Sequence, residues 1–405
     1  MSSLCPSLTR LSCLLRKRPL PTPKAILLPH DAKLDEQNAS SGYKLKQLYP
    51  AYPGEVFGGS GSSSSSYQLL VKIGRGASST VWLARDMNQY RWEPKRAVAL
   101  KILSANSHSA ENNERGIEEM SADHFSVPGS KGSQLCLAYE PMREPLSLFR
   151  RRFNDGVVPL PIVKVYTRLL LTGLDYLHRT CKIVHPDLKF ENIMAGFEDP
   201  FALGDFLDSE PDKPVSYIID PTGRPVYHSN ASFGPLKTAG SLPISQITDL
   251  GLPMHLDNED EHGMYPIQPN RITTTRQCAD IWNLSVLLLD MLQGSELFRG
   301  IHTESGGFDA KAHLLEMIGL LGPPPLKLLA RSRSMLGYGW PDPTTRADGK
   351  VCQNAEQFFD GSFFEHNGHF IYEHLILNRY LEYVLPPLQG RDREDFLSFM
   401  KQMLC

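Results

Sequence analysis

No apolar run in this sequence is long enough to cross a bilayer. The most apolar stretch, "LSVLLLDML" (Leu284 to Leu292), is short and broken by Asp290, whereas a spanning helix needs about 20 apolar residues. Positive charge is not in excess either. With 42 Lys and Arg against 45 Asp and Glu, the formal net charge is −3. A nucleic-acid binder needs a basic face, so composition makes no case for one. The seven cysteines are scattered, with no C-x-x-C pair. That pattern fits neither a zinc site nor a disulfide framework, and reduced thiols are expected. No internal repeat is visible. What remains is an ordinary globular composition, 41% hydrophobic and 21% charged over 405 residues. The length allows one large domain of two lobes or two domains.

The N-terminus is basic. Arg10, Arg16, Lys17, Arg18 and Lys24 precede the first acid, Asp31. An acid-free, Ser-containing start of this kind is how mitochondrial transit peptides look; the alternative is a disordered basic tail, since Pro19, Pro21 and Pro23 would break an amphipathic helix. "GGSGSSSSS" (Gly58 to Ser66) reads as a flexible linker, so residues 1–66 are expected to be a disordered tail and linker. After it, "YQLLVKIGRG", "STVWLARD", "RAVALKIL" and "SQLCLAYEPM" read as strands, and "ENNERGIEEM" as a helix. Beyond Pro145 helical patterns dominate. "PIVKVYTRLLLTGLDYLHR" places Val165, Leu169, Leu170, Leu174 and Leu177 at helical spacing, and "CADIWNLSVLLLDMLQG" and "AHLLEMIGLLG" each stop at a glycine. A small β-rich piece is thus followed by a larger α-rich one. The acidic run "LDNEDEH" (Leu256 to His262) reads as a solvated loop.

Several residue patterns carry chemistry. In "IGRGASSTV", Gly74 and Gly76 lie between two strands, where glycine lets backbone N–H groups approach phosphates closely. Taken alone, G-x-G is weak evidence, and an ordinary hairpin turn explains it better. Lys101 in "VALK" ends a buried-looking strand, where a Lys is costly unless paired. A phosphate-binding Lys held by a helix carboxylate, Glu114 or alternatively Glu118, suits that position; a Lys snorkelling from the strand end is the plainer account. "IVHPDLKFENIM" sets His185, Asp187, Lys189 and Asn192 in the spacing H-x-D-x-K-x-x-N. Phosphoryl transfer needs a carboxylate to orient and deprotonate a hydroxyl, a cation near the γ-phosphate, and an amide oxygen for Mg²⁺; Asp187, Lys189 and Asn192 supply these in one loop. A second metal-binding acid is required. Asp249 in "ITDLG" is favoured over Asp205 in "GDF", because Gly251 follows it by two residues and the distance to "DIW" suits an activation segment. Asp205 is expected to be a surface acid.

In order along the chain, "STVWLARD", "VALKIL", "CLAYEPM", "LDYLH", "DLKFENIM", "ADIWNL" and "AHLLEMIGLLGPPP" resemble a eukaryotic protein kinase, and most of all an SR protein kinase of fungal style. The last motif is similar to the wider group that includes the cyclin-dependent and MAP kinases. The resemblance runs from about Tyr67 to the C-terminus. It implies an α+β bilobal fold, with an N-lobe at 67–142 and a C-lobe at 143–405 that stops short of the family's last helix. It implies ATP and Mg²⁺ as cofactors. Ile73, Gly74, Gly76, Val81, Ala99, Lys101, Glu140 and Met142 would bind the nucleotide, with Tyr139 as gatekeeper. Lys101, Glu114, Asp187 and Lys189 would be catalytic, and Asn192 and Asp249 would hold the metal.

The same resemblance implies a serine/threonine specificity through Lys189, and a protein substrate that in this family is Arg-Ser-rich. It implies a monomer with no direct nucleic-acid or membrane partner, in the cytoplasm or nucleus, with mitochondrial import as the other destination open to the basic start. Pro186 stands where many kinases carry an Arg that grips a phosphorylated activation loop, so independence of that phosphorylation is implied. Besides the shortened C-lobe, the likeness carries two further departures and a change at the docking surface. The A-P-E segment has no counterpart between "IQPNR" and "ADIWNL". One strand of the small sheet is expected to be missing before "DHFSVPG". Where docking acids are expected, Ala312 and Gly319 stand, with Glu316 remaining. A catalytically impaired pseudokinase that binds nucleotide or partners is therefore the alternative.

Overall fold

The computed structural model describes residues 18–29, 48–58, 66–76, 79–93, 96–104, 123–129, 132–185, 187–210, 213–220, 223–236, 242–249, 254–255, 276–302, 308–336, 339–340, 343–346, 348–385 and 388–404. Two compact units make up the chain. The first contains residues 1–144 and 195–244, the second 145–194 and 245–405. Residues 195–244, placed by the sequence reading in the expected C-lobe, thus belong to the first unit.

The first unit is built on a six-stranded antiparallel sheet. In chain order after β1 (Ala25–Leu27) come β2 (Val56–Gly58), β3 (Ser66–Arg75), β4 (Ser79–Asp86), β5 (Ala97–Leu103), β6 (Asp123–Gly129) and β7 (Gly132–Tyr139), and the sheet order is β2-β3-β4-β5-β7-β6. β5 is the central strand and is buried on both faces, which is why "AVALKIL" reads as a nearly continuous apolar run. Alternation sends Val98, Leu100 and Ile102 into one core with Trp82, Ala84, Cys136 and Ala138.

Two expectations fail here. The strand thought to be missing is present: "DHFSVPG" forms β6 and pairs with β7 over its whole length. Its Phe125 and Val127 are buried while His124, Ser126 and Pro128 are exposed, and an edge position tolerates the proline. The 1–66 segment, expected to be disordered, also contributes strands. β2 pairs with β3, with Gly58 opposite Ser66, so the Gly/Ser stretch joins two paired strands. Pairing satisfies the edge groups of β3 that would otherwise face solvent.

A second sheet completes this unit. β1 pairs in parallel with β8 (Val215–Ile219), which pairs antiparallel with β9 (Pro225–Tyr227). Leu20 supports the same arm by exchanging two hydrogen bonds with the Gln68 amide, at 2.8 and 2.9 Å.

The second unit is mainly helical: α1 (Leu160–Arg179), α2 (Arg276–Gln293), α3 (Ala310–Leu321), α4 (Leu326–Leu336) and α5 (Gly390–Met403). α1 begins after Pro159 and buries Val163, Tyr166, Leu170, Leu174 and Leu177. Val165, expected on the apolar face, is 41% exposed; the buried stripe runs one position to the side. α1 packs along α2. Asp309 caps α3 by accepting a hydrogen bond from the Ala312 amide at 3.0 Å. Gly322 ends the helix with φ +84°, a conformation that glycine adopts without strain. No helix among the described residues is long and apolar enough to cross a membrane.

Candidate active site

The first unit carries the glycine turn. The Gly76 amide donates to the Ser79 carbonyl at 2.9 Å and closes the turn between β3 and β4. A Cβ on Gly76 would lie 3.2 Å from Ser79 Oγ, which favours glycine there. Val81 stands opposite Lys101, Lys101 opposite Leu137, and Ala99 opposite Tyr139. Strand alternation therefore puts Val81, Ala99 and Lys101 on one face. Lys101 is only partly buried at this position. Ile73 is partly buried, Glu140 is exposed and Met142 is partly buried. Glu114 and Glu118 lie outside the described residues.

The loop that carries Asp187, Lys189 and Asn192 belongs to the second unit. It opens from the short strand Ile183–Val184, which pairs with Met254–His255. Lys189 Nζ lies 2.6 Å from Asp187 Oδ2. Asn192 Nδ2 donates to the Asp187 carbonyl at 2.8 Å and to Oδ2 at 3.1 Å. The three side chains named from spacing alone thus converge on one carboxylate. Phe190, buried between them, lies under the Arg150 guanidinium, 4.8 Å from ring centroid to cation.

Thr248 ties the next acid to this loop. Its amide and its hydroxyl both donate to the Asn192 carbonyl, at 2.8 and 3.1 Å. Asp249 follows immediately, with φ +63°, a conformation few residues other than glycine and Asn/Asp adopt. Asp205 belongs to the first unit and is exposed on the helix Pro200–Ser209. Pro186 and Gly251 lie outside the described residues.

Residues 67–210, a little over a third of the chain, match the protein kinase domain family. A serine/threonine protein kinase of Aspergillus fumigatus is 28% identical over 87% of this chain and 90% of its own length. The serine/threonine-protein kinase SRPK of Physarum polycephalum is 29% identical over 75% and 76% respectively. SRSF protein kinase 3 of Sus scrofa is 31% identical over 45% of this chain and 34% of its own length. Over residues 67–210 the chain is similar to the protein kinase domain, and its relatives include kinases of the SR protein kinase type.

The loop that carries Asp187 hangs on a residue that motif reading passed over. Asp280, fully buried at the start of α2, accepts from the His185 amide at 3.0 Å, and its Oδ2 lies 2.7 Å from His178 Nε2. Burial raises the Asp280 carboxyl above its ordinary pKa, and the bonds from His178 and His185 oppose that rise. His185 Nε2 is 2.9 Å from the Thr248 carbonyl, and its Nδ1 accepts from the Asp187 amide at 3.2 Å. A carbonyl on one side and an N–H on the other select the neutral Nε2–H tautomer. One imidazole therefore links the segment before Asp249 to the backbone of Asp187. The available signal was "DIW": a carboxylate inside an apolar helix must find a partner.

Glu316, the remaining docking acid, is engaged within its own unit. It pairs with Arg379 at 2.6 Å and accepts from the Gly300 amide at 2.6 Å. No metal-ligating cluster of three or more His, Cys, Asp or Glu occurs among the described residues.

Proposed function

We propose that this kinase transfers the γ-phosphate of Mg-ATP to serine and threonine hydroxyls of protein substrates, as a non-specific serine/threonine protein kinase. The observation that carries the reading is the convergence of Lys189 and Asn192 on Asp187, with Thr248 bonded to Asn192. Asp187 would orient the substrate hydroxyl and take its proton. The hydroxyl oxygen then bonds to the γ-phosphorus while the bond to the oxygen that leaves with ADP breaks. Lys189 would place positive charge beside the transferring phosphoryl group. Gly74, Gly76, Lys101 and Glu114 would serve the nucleotide phosphates, and Ile73, Val81, Ala99, Glu140 and Met142 the adenine side.

The donor set fits Mg²⁺. Asn192 uses its Nδ2 on Asp187, which leaves the amide oxygen as its ligand atom, and Asp249 adds a carboxylate. Both are hard oxygen donors suited to that ion. Bound there, the ion would neutralise charge on the phosphates.

Arg-Ser-rich substrates are the reading supported by the SRPK and SRSF kinase relatives. A cytoplasmic or nuclear monomer, active without activation-loop phosphorylation because Pro186 replaces the phosphate-gripping Arg, completes the proposal. The test is γ-phosphate transfer to an Arg-Ser repeat peptide, with Asp187→Asn alongside. Loss of the base should slow transfer by about 100-fold to 10,000-fold. Equal rates for both proteins, or no transfer by either, would overturn the reading.

A further inference from the structure

The segment 195–244, which follows the catalytic loop, packs on the nucleotide-bearing sheet from both faces. On one face Tyr227 stacks edge-on against Trp82, with centroids 6.0 Å apart, and its carbonyl accepts from Lys72 Nζ at 3.0 Å. The Asn230 amide donates to the Lys72 carbonyl at 2.7 Å. On the other face Phe206, Leu207 and Phe233 form a buried cluster with Val71, Leu83 and Ala97, against which Ile73 and Phe197 also pack. Leu83 lies two residues from Val81 on β4, and Ala97 two residues from Ala99 on β5, so these side chains share the face of the proposed nucleotide residues. At two residues' spacing the aromatic cluster ends about 7 Å along the strands from that site.

A buried ion pair fastens this segment near its start, and the same arginine holds it again at Gly234. The Arg143 Nη1 contacts both oxygens of Glu198 at 3.0 Å, and both side chains are fully buried. Arg143 Nη2 donates to the Gly234 carbonyl at 2.5 Å, and the Arg143 amide donates to the Ala195 carbonyl at 2.8 Å. Arg143 directly follows Met142. The Met142 methyl reaches to 4.0 Å from the place a Cβ on Gly196 would occupy, and the Gly196 amide donates to Ile244 at 2.8 Å. Burying two charges is expensive and weakly stabilising at best, so stability alone is a poor reason for such a pair; specificity of geometry is the better one.

We propose that Arg143 and Glu198 are positioning residues for the adenine side of the nucleotide site: they lock the 195–244 segment against the sheet, so that Gly196 and the Phe197–Phe233 pair, 5.0 Å between centroids, fix Met142 and Ile73. This rests on the nucleotide reading above. It makes nucleotide affinity depend on a contact that touches no nucleotide.

The test is titration of the full chain with a fluorescent N-methylanthraniloyl ATP plus Mg²⁺. Glu198→Gln keeps shape and removes the charge; Arg143→Lys keeps the charge and removes the fork. Each should raise the nucleotide Kd about tenfold, a fraction of what misplacing a positioned group can cost. Val98→Ala, on the opposite face of β5, serves as the matched control: it should lower the melting temperature and leave the Kd unchanged. In transfer assays the two clamp variants should raise KM for ATP and leave KM for the peptide unaltered. Unchanged Kd in both clamp variants overturns the proposal. So does a Kd for Val98→Ala that rises as far at an equal loss of melting temperature, since the clamp would then be merely structural. No binding by the unaltered chain overturns the nucleotide reading itself, and the inference with it.

Discussion

Replacing Asp280 by alanine should destabilise the second unit and loosen the catalytic loop. The carboxylate has no exposed surface, and one of its oxygens serves both the His185 amide and His178. Two opposing effects act on the wild-type group. Burial penalises its charge, as the raised pKa shows, so the intact pair adds little net stability. Removing one partner is different, because the donors left behind stay buried without an acceptor. That loss costs about 3–5 kcal/mol for a buried pair. In a unit of about two hundred residues, each kcal/mol shifts the melting temperature by roughly 2–4 °C, so a fall of about 6–20 °C is expected. Asp280→Asn retains a carbonyl oxygen for the His185 amide and should cost less, about 1–3 kcal/mol. Calorimetry gives the melting temperatures, and hydrogen exchange at the His185 amide reports the loop directly. A melting temperature for Asp280→Ala within about 2 °C of wild type, with the His185 amide equally protected, would refute the reasoning.

Asp249→Asn should reduce phosphate transfer by about 100-fold or more and weaken the Mg²⁺ dependence of ATP binding, whereas Asp205→Asn, an exposed change, should stay within about 0.5 kcal/mol in stability and leave transfer intact; the reverse result would assign the metal to Asp205. Mg-ATP should raise the melting temperature, by about 2.7 kcal/mol of stabilisation at 100 times its Kd, and no shift at millimolar Mg-ATP would exclude nucleotide binding. His313, buried between Phe298 and Phe308, has its pKa lowered by burial to about 4. The folded chain binds that proton less readily than the unfolded one, so this stability is complete above the ordinary histidine value near 6.5 and lost as pH falls toward 4. The loss amounts to about 3 kcal/mol. Asp290, raised by burial to about 7, acts with the opposite sign in the same window. The check is therefore the difference between wild type and His313→Leu: the variant should gain relative stability as pH falls from 6.5 to 4, and a pH-independent difference would contradict the assignment.

What was legible in the sequence is what local spacing dictates. Asp187, Lys189 and Asn192 could be named because phosphoryl transfer demands those groups within one loop, and a six-residue stretch can place them without help from elsewhere. The strands were legible because burial patterns apolar residues: a nearly continuous run where both faces are covered, as in "AVALKIL", and alternation where only one is. "DHFSVPG" shows the same alternation, yet its place as the outer strand of the sheet emerged only from its pairing with β7. Other features were decided by partners distant in the chain. Val165 and Val163 are equally apolar, and only the packing of α1 shows which one is buried. Val56–Gly58 is too short to declare itself a strand and becomes one because β3 offers an unpaired edge. Asp280 finds its donors about a hundred residues earlier, and Arg143 finds Glu198 across 55 residues. Removing such groups from water is costly and is offset only where they meet a partner, and one-dimensional spacing carries no record of which groups meet. For the same reason nothing in the spacing of residues 195–244 announces that tertiary packing makes them part of the sheet-bearing unit.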